Sequence, residues 1–214
     1  MDRVQVFIDY RNVYGGARQA FFPPRAPGRM GHIAPHAFGE LLAARPRPRR
    51  TSMGPRILEQ VRVYTGRPDG ERDPRTHAAH MRQCAAWERS GAVVITRPLR
   101  YPRDWPRDRA QEKGIDVQLA IDFVAGAIDD SYDTGIICST DTDLLPALEF
   151  VASRFGRERA ETAAWLTGGK GSELRLRNPS TWCHRLEQTD YDAVRDPTDY
   201  RASRERGSVG RREP

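Results

Sequence analysis

Lysine is nearly missing from this chain. Lys113 and Lys170 are its two lysines, so arginine supplies almost all of the 35 basic residues behind a net charge of +6. Arginine forks onto phosphate with two parallel hydrogen bonds, so a polyanionic partner is one reading of the excess; a codon bias toward arginine is the other. Cysteine is scarce as well. Cys84, Cys138 and Cys183 stand far apart and form no C-x-x-C pair, which argues against a disulfide framework or a cysteine-based zinc site and suits a reducing compartment. No apolar run nears the ~18 residues that a membrane span needs. The start, "MDRVQVFIDY", lacks the charged and apolar regions of a signal peptide. The expected address is therefore the cytoplasm. No internal repeat is visible.

What is present suits one α/β domain. The 214 residues, 38% hydrophobic and 30% charged, suffice for a single core with some polar, mobile segments. "VQVFID" (4–9) reads as a buried strand, and the glycines and prolines of "GGARQAFFPPRAPGRMG" should break any long helix after it. A short helix is expected at 35–44, opened by Pro35. "RILEQVRVYTG", "AVVITRPL", "TGIICST" and "AETAAWLT" supply four more strands, and "WCHRLEQ" a candidate edge strand. Helices are expected in "DPRTHAAHMRQCAAWERSG", "KGIDVQLAIDFVAGAI" and "TDLLPALEFVASRFG". In the second of these, Val117, Ile121, Val124 and Ile128 share one face at helical spacing. Alternating strands and helices predict a three-layer sandwich with a mainly parallel central sheet. The domain should cover residues 1–190, and 191–214 should form a flexible, arginine-rich tail. The run "RPRPRR" (45–50) and the tail arginines are candidate backbone contacts for a nucleic acid.

The acids carry the chemistry. Asp9 ends the first strand, Asp141 follows the fourth, Asp143 opens the next helix and Asp116 lies in the first turn of its own. Ligands of open α/β sheets sit outside the carboxyl ends of the strands, so neighbouring first and fourth strands would bring these carboxylates to one rim. Two carboxylates ~4 Å apart repel by about 4 kcal/mol at an effective dielectric near 20. A cation would relieve that crowding, and Mg²⁺ or Mn²⁺ with phosphate as a further ligand fits an all-oxygen set. Asp143 or Asp116 taken alone is more simply a helix cap, whereas Asp9 stands where "FIDYRN" leaves a buried strand directly into an acid. Asp122, six residues after Asp116, points about 120° away on a helix (~100° per residue) and is read as a surface or supporting acid.

"FIDYRNVY", "KGIDVQLAIDF" and "STDTDLLPAL", in this order, resemble the three motifs of NYN domains of the PIN-like nuclease superfamily; the likeness covers roughly residues 1–195. The resemblance implies a metal-dependent ribonuclease with Mg²⁺ or Mn²⁺, leaving a 5′-phosphate. Asp9, Asp116, Asp141 and Asp143 would be its catalytic and metal-binding acids, and Asn12, Arg11 and Lys113 would meet RNA or its phosphate. The family usually has a small residue after the first aspartate. Tyr10 and Arg11 follow it here, and are expected to narrow the mouth or touch substrate; Thr140 stands where glycine is common. A homodimer is the expectation for assembly.

The alternative of another class is an RNA-binding module with an inactive acidic pocket. Haloacid-dehalogenase-like phosphatases need their D-x-D on the first strand, where this chain has "DYR", and sugar transferases need a nucleotide-binding half that is not visible. His32 with His36, and His77 with His80, have spacings seen in zinc sites but lack a third ligand nearby. Trp105 is a candidate for stacking on a base.

Overall fold

The computed structural model describes residues 1–45 and 55–202. Six parallel strands form one sheet in the order β3-β2-β1-β4-β5-β6. They are β1 (Asp2–Asp9), β2 (Arg56–Arg67), β3 (Val93–Pro98), β4 (Thr134–Cys138), β5 (Ala160–Trp165) and β6 (Trp182–Leu186). The helices are α1 (Tyr10–Phe21), α2 (Pro35–Ala44), α3 (Pro74–Arg89), α4 (Ile115–Ile128), α5 (Leu145–Phe155) and α6 (Gln188–Val194). The chain winds outward from β1 to β3, returns, and winds the other way from β4 to β6. The reversal falls between β1 and β4, where open sheets of this kind leave a crevice.

Strand alternation builds the three layers. Val4, Val6 and Ile8 face α1, α2, α3 and α6 in one buried cluster, whereas Phe7, Tyr64 and Ile137 face α4 and α5 in another. Burying each such side chain contributes about 1.5–3 kcal/mol. The edge strand expected from "WCHRLEQ" is β6, paired in parallel with β5.

Three differences from the sequence reading have physical causes. The glycines after Tyr14 do not end the first helix: α1 runs through Gly15 and Gly16 to Phe21, because Asp9 caps it and Tyr10, Val13 and Ala17 bury one face. The apolar face at Val117, Ile121 and Ile128 is not the core face of α4. Those side chains are 56–59% exposed, and Ile115, Leu119 and Phe123 are buried instead. This helix is apolar nearly all round, so periodicity alone does not choose its inner face. Finally, the first residues of the expected tail, 191–202, pack on the domain. Tyr191 and Val194 are buried, Asp196 N donates to His32 O at 3.0 Å, and Tyr200 stacks edge-on against His32. Residues 203–214 lie outside the described residues, as does the arginine run apart from Arg45, whose guanidinium pairs with Asp190 at 2.5 Å.

Candidate functional site

The register sets the first geometry. Ile8 lies opposite Cys138, so Asp9 and Ser139 leave the sheet side by side at the reversal. Asp9 is both the last residue of β1 and the cap of α1. Its Oδ1 accepts from Asn12 N at 3.1 Å and its Oδ2 from the Ser139 hydroxyl at 3.0 Å. Ser139, itself buried, accepts from Asp141 N at 3.1 Å. One hydroxyl thus ties the two aspartates together. Asp141 caps the 3-10 turn Thr142–Leu144, its Oδ1 accepting from Asp143 N at 3.0 Å. Asn12 Oδ1 accepts from both Thr140 N (3.0 Å) and the Thr140 hydroxyl (3.2 Å), which fixes the loop after β4 to the first turn of α1.

Above these residues an open cavity of about 480 Å³ is lined by Asp9, Asp116, Asp141, Glu112, Arg11 and Asn12, with Thr140 and the glycines of α1 completing its wall. Burial pushes the Asp9 carboxyl up to about 6, against the hydrogen bonds from Asn12 and Ser139, and the nearby charges of Glu112 and Asp141 push the same way. The cavity carries negative charge that the protein only partly offsets. Arg11 stands against Glu112 at 3.8 Å, and its side chain is 64% exposed.

The expected acids therefore divide. Asp9, Asp116 and Asp141 meet at the cavity. Asp143 is exposed on the 3-10 turn and does not line that cavity; it lines a neighbouring groove between α4 and α5, which Asp116 borders as well. Arg11 and Asn12 line the cavity, whereas Lys113 is exposed on the loop before α4 and does not line it. Tyr10 does not narrow the mouth. Its ring is buried on the α3 side against Trp87, and its hydroxyl bonds His32 Nδ1 at 2.7 Å and accepts from Gln83 at 3.0 Å. Asp122 belongs to a different network, accepting from Arg62, Tyr64 and Gln118 at 2.9 Å each. Burial would raise its carboxyl, but those three donors hold it below the usual range. The histidine pairs are split as well: His36 faces Glu40, His77 bonds Pro68 O, and His80 lies beside Cys84. Trp105 packs on Tyr101, away from the cavity.

Sequence reasoning missed Glu112. Its Oε1 accepts from Gly66 N at 2.7 Å, so the end of β2 holds it in place, and a Cβ at Gly66 would collide with it at 2.6 Å. The signal was its place in "QEKGID", four residues before Asp116 and just ahead of the left-handed Gly114 that starts α4.

Among the described residues no three His, Cys, Asp or Glu side chains converge tightly enough to enclose a metal ion by themselves. The donor set still suits one class of ion. Mg²⁺ keeps several waters and is held through one or two carboxylates, and an open, all-oxygen acidic cavity with a desolvated Asp9 meets that need. It does not suit zinc, since neither histidine nor cysteine lines it.

A doubly wound parallel sheet with an acidic crevice at its reversal defines an α/β protein that handles its ligand at the strand ends. The family model for the NYN domain matches residues 3–163, and the chain belongs to that family. Membership points to a nuclease-like, RNA-related function. No curated protein matches the chain. A solved structure, that of a protein of unknown function (VPA0982) from Vibrio parahaemolyticus RIMD 2210633, is similar with a TM-score of 0.52 at 16% identity. It covers 87% of this chain and 94% of that one. Likeness at that identity speaks for the fold alone. Among the described residues, no helix is long and apolar enough to cross a membrane.

Proposed function

We propose that the chain is a metal-dependent ribonuclease that hydrolyses RNA phosphodiester bonds in the cavity between β1 and β4. The observation that carries this reading is the gathering of Asp9, Glu112, Asp116 and Asp141 around one open space, with Arg11 the single basic residue among the described residues that line it. Asp9, Asp116 and Asp141, which line the cavity, are the carboxylates that would hold Mg²⁺ or Mn²⁺; Asp143 stands outside that cavity, in the neighbouring groove that Asp116 also lines. Bound there, the ion supplies Lewis-acid polarisation of the phosphate and acidifies a water.

The protein's own part is preorganisation. Ser139 locks the relative placement of Asp9 and Asp141, and Asn12 fastens the loop that carries Asp141. Charges fixed in this way need no rearrangement as the reaction proceeds. Arg11 sits at the rim, and its long, exposed contact with Glu112 is worth about 0–1 kcal/mol. It can therefore exchange that partner for a substrate phosphate at little cost. Lys113 adds positive charge beside the site without lining it.

The test is single-turnover cleavage of labelled RNA with Mn²⁺ and with EDTA. Asp141→Asn keeps the capping oxygen of the 3-10 turn and removes the charge. The expected loss is about 100-fold, equal to about 2.7 kcal/mol of barrier. Wild-type speed in that variant would eliminate the mechanism. The second reading, an RNA-binding module with an inert pocket, draws on the lack of three converged acids among the described residues. It predicts RNA binding that EDTA does not alter, and no cleavage under either condition.

A further inference from the structure

Beside the acidic cavity lies a second one of about 450 Å³, within the usual range of small-molecule sites (about 300–1,000 Å³). The two share Asn12, Gly16, Gln19 and Thr140 as a common wall. The second cavity covers the ends of β4 and β5, has Phe38 and Trp165 in its apolar lining, and, among the described residues lining it, Lys170 alone carries charge. Lys170 is held on a built support. Thr167 and Lys170 close a two-residue turn through hydrogen bonds of 2.9 and 3.0 Å. Gly168 and Gly169 between them both have positive φ (56° and 74°), as a primed turn requires. The Thr167 hydroxyl donates to Ala20 O at 2.9 Å, pinning the turn to the last turn of α1.

The helix beside the cavities carries an independent signal: Gly16 lines both and packs on Trp165, which a Cβ would meet at 3.2 Å, whereas Gly15 lines the acidic cavity alone. Gly15 and Gly16 sit inside α1 with ordinary helical φ, where glycine is the poorest helix former after proline. Packing does not require it at Gly15: a Cβ there would meet nothing within 4 Å. A helix that forgoes a side chain where there is room for one leaves its backbone open to close approach by something outside the chain.

Resting on the ribonuclease reading, we propose that single-stranded RNA crosses α1 at Gly15–Gly16. The scissile phosphate then lies in the acidic cavity, and the adjoining nucleotide occupies the second cavity with its phosphate on the Lys170 ammonium. Lys170 is thus a substrate-positioning contact. It adds a second positive contact for a polyanion to that of Arg11 in the acidic cavity.

The experiment measures anisotropy of fluorescein-labelled oligouridylate on the full chain in EDTA across a KCl series, together with cleavage in Mn²⁺. The variants are Lys170→Gln, Gly15→Gln and, as a single-charge control on α3, Arg75→Gln. Lys170→Gln should weaken binding about tenfold and flatten the plot of log affinity against log salt by about 0.7, the value of one single-strand phosphate contact. Gly15→Gln should raise the melting temperature and yet lower affinity and kcat/KM at least tenfold. Arg75→Gln should leave the salt slope unchanged. Mn²⁺ affinity should stay at the wild-type value in Lys170→Gln and Arg75→Gln. If wild type cleaves RNA and the Lys170 and Gly15 variants bind and cleave as well as it does, this path is wrong and the nuclease reading stands. If wild type binds RNA but neither cleaves nor takes up Mn²⁺, the nuclease reading fails while the binding arm still decides the path. Wild type that fails to bind RNA overturns both.

Discussion

The two rims of the sheet both hold acids, and they treat them in opposite ways. At the amino ends of the strands, Asp2 and Glu161 are almost fully buried and compensated. Arg56 reaches Glu161 at 3.1 Å and Asp2 at 3.7 Å, His184 lies 2.7 Å from Glu161, and the Thr134 hydroxyl donates to Asp2 at 3.0 Å. At the carboxyl ends, Asp9, Glu112, Asp116 and Asp141 surround open space, and among the described residues Arg11 is the one basic side chain that lines it. A buried charge must be paired or the fold loses stability. Charge left unpaired beside a cavity is therefore a sign of a missing partner from outside, whereas acids locked to arginine and histidine are finished parts of the structure.

The sharpest way to break this contrast is to remove one partner on each rim. Arg56→Met should cost about 3–5 kcal/mol in denaturant unfolding, the usual penalty for orphaning buried charges. Mn²⁺ uptake at the far rim should stay intact in the folded fraction. Asp141→Asn should do the reverse, with a melting temperature close to wild type and the large loss of cleavage given above. Equal effects of both changes on stability would erase the distinction between the rims.

A smaller effect follows from pH. The Asp9 carboxyl is raised in the folded chain from its ordinary value near 3.8 to about 6, so the folded state holds this proton more tightly than the unfolded one. That contribution is present in full below about pH 4 and is lost as pH rises through about 6. In EDTA, the melting temperature of wild type relative to Asp9→Asn should fall between pH 4 and pH 7 and then level off. A difference that stays flat with pH would place Asp9 in a more solvated setting than described.

The strand order that joins β1 to β4 was anticipated only as a condition, since neighbouring strands leave no mark on either sequence segment. The acids themselves were readable, because Asp9 ends one apolar run that reads as a buried strand and Asp141 follows another by three residues. Glu112 was not, because it sits in a loop whose path depends on Gly66 of a distant strand. Asp143 looked equivalent to Asp141, yet Asp141 lines the cavity while Asp143 stands exposed on the 3-10 turn that Asp141 caps. Tyr10 looked like an obstacle at the mouth, but the start of α1 turns it into the core. Local propensity also misjudged Gly15 and Gly16, since tertiary burial of Val13 and Ala17 carries the helix across them.

The most direct measurement is Mn²⁺ binding to the folded chain by calorimetry, compared among wild type, Asp9→Asn, Asp141→Asn and Glu161→Gln. Binding by wild type that is lost in the first two variants and retained in Glu161→Gln is the predicted result. Wild type with no Mn²⁺ affinity, or with affinity untouched by the loss of Asp9 and Asp141, would contradict the claim that the carboxyl-end acids await a cation.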